Sequence, residues 1–213
     1  TNDYLGRRGI SSETAEAFEL GYAPDSFEAL MGFFRVKNIP MDKATELGLI
    51  KKHAERHSLY DFYRKRLIFP IRSLQGNIIG FGGRTLSTRE GEAKYINSPE
   101  SPIYHKSREL FGFYQNKRAI LHERRAVVVE GYVDVLACVQ AGIKTAVAPL
   151  GTSLTKEQVA LLKRSADDII LMFDGDAAGR KAAAKAFGTC LEAGVHPRVA
   201  LLPDGRDPGD YLS

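Results

Sequence analysis

Glu130, Asp174 and Asp176 stand in short glycine-flanked contexts, Glu130-Gly131 and Asp174-Gly175-Asp176, each just after a run of apolar residues. Asp204, Asp207 and Asp210 follow another such run, Val199-Ala200-Leu201-Leu202. Carboxylates brought together repel one another unless a cation offsets them. An all-oxygen donor set of this kind suits Mg²⁺ or Mn²⁺ rather than zinc, and an ion held there would serve phosphoryl transfer. The competing reading is helix capping. Asp176 before Ala177-Ala178 suits an N-cap, and Asp134 falls in a first helical turn. Capping accounts for one or two of these acids. It does not account for an acid at the same place after successive apolar runs.

The elements that must position these groups alternate regularly. Val127-Val128-Val129 reads as a buried strand, and Val133 to Ala141 as a helix ended by Gly142. Ala146-Val147-Ala148 is a second strand, and a helix runs from Thr155 to about Arg164. Ile169 to Phe173 is a third strand, Ala177 to Ala193 a helix ended by Gly194, and Val199 to Leu202 a fourth strand. Continuous apolar strands alternating with helices imply a parallel sheet covered on both faces. Functional groups in such sheets gather beyond the carboxyl ends of the strands. Acids after three of four strands are therefore expected at one edge, with Gly131 and Gly175 keeping the turns narrow.

Upstream, residues 1–60 read as short helices. One is capped by Ser11 or Ser12, carries Ala15 and Phe18 and ends at Gly21; a second opens after Ile39-Pro40 and ends at Gly48. His53 and His57 have the spacing of a metal pair but no third ligand, and a solvated linker is expected there. Residues 61–125 read as a hairpin and loops. Arg66 to Ile71 is a strand, Gln75-Gly76-Asn77 a turn, and Ile78 to Arg84 the returning strand. The glycines of Gly80-Phe81-Gly82-Gly83 do not lead into a helix, so they are not a dinucleotide fingerprint. They are expected to admit a close approach to the backbone or to mark a bulge.

Charge is unevenly spread. Residues 1–125 hold 21 Lys and Arg against 15 Asp and Glu, while residues 126–213 hold 9 against 11. Residues 62–108 alone, with 9 basic and 3 acidic side chains, account for the whole excess. A basic middle beside an acidic C-terminal part suits a polyanion-binding surface next to a metal site, or equally a solvated basic face. No run reaches the length of a membrane span. Cys138 and Cys190 cannot form a disulfide framework or a zinc site, so a cytoplasmic, reducing setting is expected. The start, Thr1-Asn2-Asp3-Tyr4, lacks an initiator Met, and a fragment of a longer protein is expected.

Glu130-Gly131-Tyr132-Val133-Asp134 and Asp174-Gly175-Asp176 resemble the two signatures of the Toprim domain, which primases, topoisomerases and some nucleases share. Leu20-Gly21-Tyr22-Ala23-Pro24, Arg66 to Ile71, Ile79 to Arg84, Lys94 to Glu100, His105-Lys106 and Leu150 to Ser153 are similar to the catalytic core of bacterial replicative DNA primases of the DnaG type. The resemblance implies an α/β fold: a Toprim-type parallel sheet flanked by helices in residues 126–213, preceded by a basic α+β subdomain in residues 1–125. It implies a DNA-dependent RNA polymerase that makes short primers from ribonucleoside triphosphates on single-stranded DNA. Glu130, Asp174 and Asp176 would bind two or more catalytic Mg²⁺ or Mn²⁺ ions, with Asp134 in support and Asp207 as the acid after the fourth strand. The family follows that acid with Pro-Asp, whereas this chain has Pro208-Gly209-Asp210. Arg84, Lys94, Tyr95, Asn97 and Lys106 match the basic motif for triphosphate and template, and Arg66 is placed with them. The expected partners are the template, the nucleotides, the RNA primer and, through regions absent here, the replicative helicase. A Toprim nuclease or topoisomerase module, or a non-catalytic nucleic-acid scaffold, is the alternative.

Overall fold

The computed structural model describes residues 2–53, 58–87, 89, 91–203 and 205–212. His57 and Asp204 thus lie outside the described residues. Along the chain run α1 (Asn2–Arg7), α2 (Ser12–Ala17), β1 (Gly21–Ala23), α3 (Ala29–Val36), α4 (Met41–Glu46), β2 (Ile50–Lys52), β3 (Leu59–Asp61), β4 (Arg66–Arg72), β5 (Ile78–Thr85) and β6 (Tyr95–Asn97). There follow α5 (Phe113–Glu123), β7 (Arg125–Val128), α6 (Tyr132–Gln140), β8 (Ala146–Val147), α7 (Lys156–Ser165), β9 (Asp168–Phe173), α8 (Ala177–Glu192), β10 (Arg198–Leu201) and α9 (Pro208–Leu212). Among the described residues no helix is long and apolar enough to cross a membrane.

The chain packs as two units. The first gathers Leu20–Ile71 and Ile78–His105; the second gathers Asn2–Glu19, Arg72–Asn77 and Lys106–Ser213. This division cuts across the 125/126 boundary expected from the sequence. The first two helices and residues 106–125 join the second unit because their apolar side chains find partners there. Phe18 packs on Phe111 at 5.5 Å, and Phe111 meets Tyr132 edge-on at 4.8 Å.

In the second unit β10, β9, β7 and β8 lie side by side in that order, all parallel. Alternate residues of the central strands, Ala126 and Val128 on β7 and Ile169, Leu171 and Phe173 on β9, enter one core with side chains of α5, α7 and α8. Period-two alternation is what a strand dictates, and the buried runs therefore extend a full sheet into that core. α7 begins at a reciprocal cap, Thr155 accepting from the Gln158 amide at 3.2 Å and Gln158 from the Thr155 amide at 3.0 Å. At the other end of the strands, Asp168 binds Arg125 at 2.9 Å and Arg198, fastening three adjacent strands at their starts.

The first unit holds strands that local sequence patterns do not signal. β1 pairs antiparallel with β4, β5 with β6, and β2 with β3. Residues 1–60 are thus not only helices, as expected, but carry β1, β2 and the start of β3. Strands of three residues take their order from remote partners rather than from their own periodicity. α3 has no capping side chain of its own. The Asp61 carboxylate, 2% exposed, supplies one from β3, accepting the Leu30 and Met31 amides at 2.6 and 3.0 Å. Those amides have no partner within the helix. Asp61→Ala should therefore lower stability by about 2 kcal/mol, and Asp61→Asn by less. Urea unfolding curves measure this, and equal stability of the Ala variant refutes the capping role.

Candidate functional site

In the second unit the carboxylates lie where the parallel strands end. Glu130 comes two residues after β7, and its Oε1 accepts the Asp174 amide at 3.0 Å, so the exits of β7 and β9 are tied together. Asp176 caps α8, its Oδ1 accepting the Gly179 amide at 2.7 Å. Gly175 between the two acids permits this turn: a Cβ there would run into the Pro203 carbonyl oxygen. Its amide donates to the Arg206 carbonyl at 2.9 Å, which binds the turn to the loop leaving β10. Asp134 Oδ2 accepts the Gly131 amide at 2.9 Å in the first turn of α6. α9 packs against α6. Asp207, just before α9, accepts the Asp210 amide at 2.7 Å on Oδ1 and faces Arg8 at 3.5 Å on Oδ2.

These acids act on one another. Burial, then the charges of Asp174 and Asp207 and, less, of Glu130, push the Asp134 carboxyl up to about 7, against the Gly131 amide, which lowers it. Such crowding of oxygen donors fits a hard divalent cation. The side chains do not converge on one point, however. Among the described residues no three His, Cys, Asp or Glu side chains form a group that could hold a metal ion. The capping reading is visible: Asp176 and Asp134 engage helix-start amides at the edge they share with Glu130 and Asp174. Asp210 presents its main-chain N–H to Asp207, and its carboxylate is exposed. Arg8, and Arg180, whose guanidinium donates to the Gly175 carbonyl at 2.5 Å, are cations at this edge that the sequence analysis did not name.

In the first unit the register pairs Arg84 with Tyr95 and Gly82 with Asn97. Directly opposed and alternate residues share a face, so Arg84, Tyr95 and Asn97 line one side of β5 and β6. Arg84 donates to the Tyr95 hydroxyl at 2.9 Å and lies 5.3 Å from its ring centre. Lys94 is exposed immediately before β6. Arg66 is different. It is 5% exposed, and its guanidinium donates to Gly83 O at 3.1 Å, Ala93 O at 3.0 Å and Glu92 at 3.0 Å. Burial lowers its pKa, an effect the Glu92 charge opposes. Of this strand's three glycines, Gly83 admits a side chain closely: a Cβ on it would lie 2.7 Å from the Tyr63 ring. His105 pairs with Glu100 at 3.1 Å, both exposed. Lys106 belongs to the second unit, where Gln158 donates to its carbonyl at 2.9 Å.

A basic, aromatic cleft of about 250 Å³ also lies within the first unit, lined among others by Phe27, Tyr60, Phe62, Arg64, Lys65 and Arg89. The Arg64 guanidinium sits 4.5 Å from the Phe27 ring centre and 5.2 Å from that of Tyr60. The sequence reading did not single these residues out. Their signal was the basic run Arg64-Lys65-Arg66 among aromatic residues, inside the stretch that carries the charge excess.

The Asp134 shift has a measurable consequence. A carboxyl with a raised folded pKa favours the folded state fully below its unfolded value and loses that contribution as pH rises through about 7. In EDTA, the stability advantage of Asp134→Asn over the parent should grow by roughly 1 to 2 kcal/mol between pH 5 and pH 8. Denaturant unfolding at both pH values checks it, and an advantage independent of pH removes the electrostatic account.

Comparison with known proteins bears on what this edge and this face belong to. A family model described as DNA primase catalytic core, N-terminal domain, matches residues 1–117, and a Toprim-like model matches residues 127–212. The DNA primase of Halalkalibacterium halodurans is 46% identical over 209 residues, which is 98% of this chain and 35% of that protein. The chain thus spans about a third of the length of the curated relatives it matches. The Aquifex aeolicus primase, solved with its zinc-binding and RNA polymerase domains, superposes with a TM-score of 0.91 at 38% identity, covering 99% of this chain and 51% of that one. A DnaG primase catalytic domain solved bound to single-stranded DNA gives a TM-score of 0.87 at 39% identity, covering 99% and 68%. The first family model accounts for residues that a nuclease or topoisomerase reading leaves unexplained, and the parallel four-stranded sheet is of the Toprim type. With that model matching more than half of its residues, the chain belongs to the DNA primase catalytic-core family.

Proposed function

We propose that the protein to which this chain belongs synthesises short RNA primers on single-stranded DNA from ribonucleoside triphosphates. The observation that carries this is the carboxylate edge around Asp134, in a chain of the primase core family. Residues 126–213 are its metal-binding domain, and residues 1–125 its basic part. Glu130, Asp174 and Asp176 would hold Mg²⁺ or Mn²⁺, two ions or more, with Asp134 and Asp207 in support. Divalent ions there would lower the pKa of the primer 3′-hydroxyl and neutralise charge on the leaving pyrophosphate. Everything else falls to the side chains of the chain itself. Arg84 offers a planar fork and Lys94 a point charge to the triphosphate. Tyr95, held by Arg84, offers a ring for stacking, and Asn97 a hydrogen-bonding amide on the same face. Lys106 adds a further cation. Arg66 is assigned to holding the loop before Lys94 rather than to touching the nucleotide, because its donors meet Gly83, Glu92 and Ala93.

The template strand is assigned to the cleft of Phe27, Tyr60, Arg64, Lys65 and Arg89, where bases can stack and phosphates meet guanidinium and ammonium groups. Such contacts ignore sequence and weaken with salt. The whole protein would work in the cytoplasm, extending an RNA primer and docking on the replicative helicase.

In the full-length protein, Asp174→Asn should cut Mg²⁺-dependent primer synthesis by on the order of a hundredfold or more; near-normal synthesis sinks the metal assignment. Lys94→Ala should raise the KM for nucleotides about tenfold while changing kcat less, in steady-state assays at fixed template. Arg64→Ala should weaken single-stranded DNA binding and lower its salt slope by about one, as fluorescence anisotropy reads it. An unchanged slope removes Arg64 from the template path.

A further inference from the structure

The carboxylate edge of the second unit already contains a cation. Arg8 follows α1, and its Nη1 stands 3.5 Å from Asp207 Oδ2, with side-chain exposures of 34% and 28%. Its position is fixed from both sides. Its amide donates to the carbonyls of Tyr4 and Leu5 at 3.1 Å, and both of those residues are buried. Just after it, Gln140 at the end of α6 clamps the chain, accepting the Ser11 amide at 2.7 Å and donating to the Gly9 carbonyl. Asp134 lies in the first turn of that same helix. One helix therefore carries an acid of the edge at its start and grips the segment bearing Arg8 at its end. Asp207 is held as well: the Asp210 amide occupies Oδ1, so Arg8 meets the remaining oxygen.

We propose that Arg8 is a positioning residue, a tethered counter-cation that occupies Asp207 and competes with divalent metal for that end of the edge. This rests on the reading of Glu130, Asp174 and Asp176 as the metal-holding set. A guanidinium keeps its charge at any ordinary pH, so Arg8 offsets one carboxylate permanently. An arriving divalent ion is repelled by that charge and finds Asp207 Oδ2 already engaged. The pair is partly exposed, and pairs of that kind are weak, so Arg8 tunes metal affinity without closing the site.

The test is a Mn²⁺ titration of the 213-residue chain, followed by the electron paramagnetic resonance signal of the free ion. Arg8→Ala should bind Mn²⁺ roughly three- to tenfold more tightly than the parent. Arg8→Lys, which keeps the charge, should stay within about twofold. Adding Asp207→Asn to Arg8→Ala should cancel the gain. Circular dichroism checks the fold, and if Arg8→Ala does not fold, the longer Arg8→Gln carries the same expectation. Mn²⁺ binding that Glu130→Gln weakens but neutralising Arg8 leaves unchanged, or weakens, overturns the counter-cation role alone. Absence of Mn²⁺ binding in the parent overturns the metal reading and this proposal with it.

Discussion

Like-charge repulsion at the carboxyl edge of a parallel sheet is the constraint to which much of the second unit answers. Burial first, and then the charges of Asp174, Asp207 and Glu130, hold the Asp134 carboxyl well above an ordinary carboxylate. The fold meets this with backbone donors wherever it can. The Asp174 amide serves Glu130, the Gly131 amide serves Asp134, and the start of α8 serves Asp176. Each of these is a partial positive charge fixed by the backbone. Arg8 brings the full positive charge that Asp207 faces. An edge that has used amides to order its acids still carries a carboxyl pushed up to about 7, by burial first and then by its neighbours' charges.

The opposite edge of the same sheet shows the contrast. Asp167 and Asp168 each face arginine: Arg124 pairs with the first, and Arg125 and Arg198 with the second. There the charges close among themselves, and the pKa of Asp168 is lowered, by Arg198 first and then Arg125. Acids at one end of the strands are each paired with arginine; at the other, Asp207 faces Arg8 while Glu130, Asp134 and Asp176 accept backbone amides. That asymmetry, rather than the number of acids, distinguishes a candidate metal site from a structural one. In the first unit the same logic separates two arginines. Arg66 is buried among carbonyls and one carboxylate and organises a loop, whereas Arg64 lies across aromatic rings in an open cleft.

Much of the second unit could be read from the sequence because its signals are local. Each buried strand is a continuous apolar run, helices start at capping residues such as Thr155 and Asp176, and the acids after three of the four strands follow directly from where those strands stop. A parallel sheet with acids beyond its strand ends was therefore legible, and so was the hairpin of β4 and β5. β1, β2, β3 and β6 were not, since each is three residues long and owes its pairing to a partner. α5 was missed too; it begins at Gly112 without a capping side chain, and its apolar positions are sparse.

By itself the sequence determined the order of the sheet-forming elements of the second unit, the acids beyond three of its strands and the basic character of the middle, because periodicity, capping chemistry and charge are properties of neighbouring residues. Tertiary structure alone decided that α1, α2 and α5 join the unit that holds the parallel sheet, that Asp61 caps a helix some thirty residues earlier, and that Arg8 stands against Asp207. It also decided that Glu130 spends an oxygen on the Asp174 amide, across from one strand exit to the next. Those outcomes depend on side chains far apart in the chain meeting at distances set by packing, and no local pattern of residues encodes such a distance.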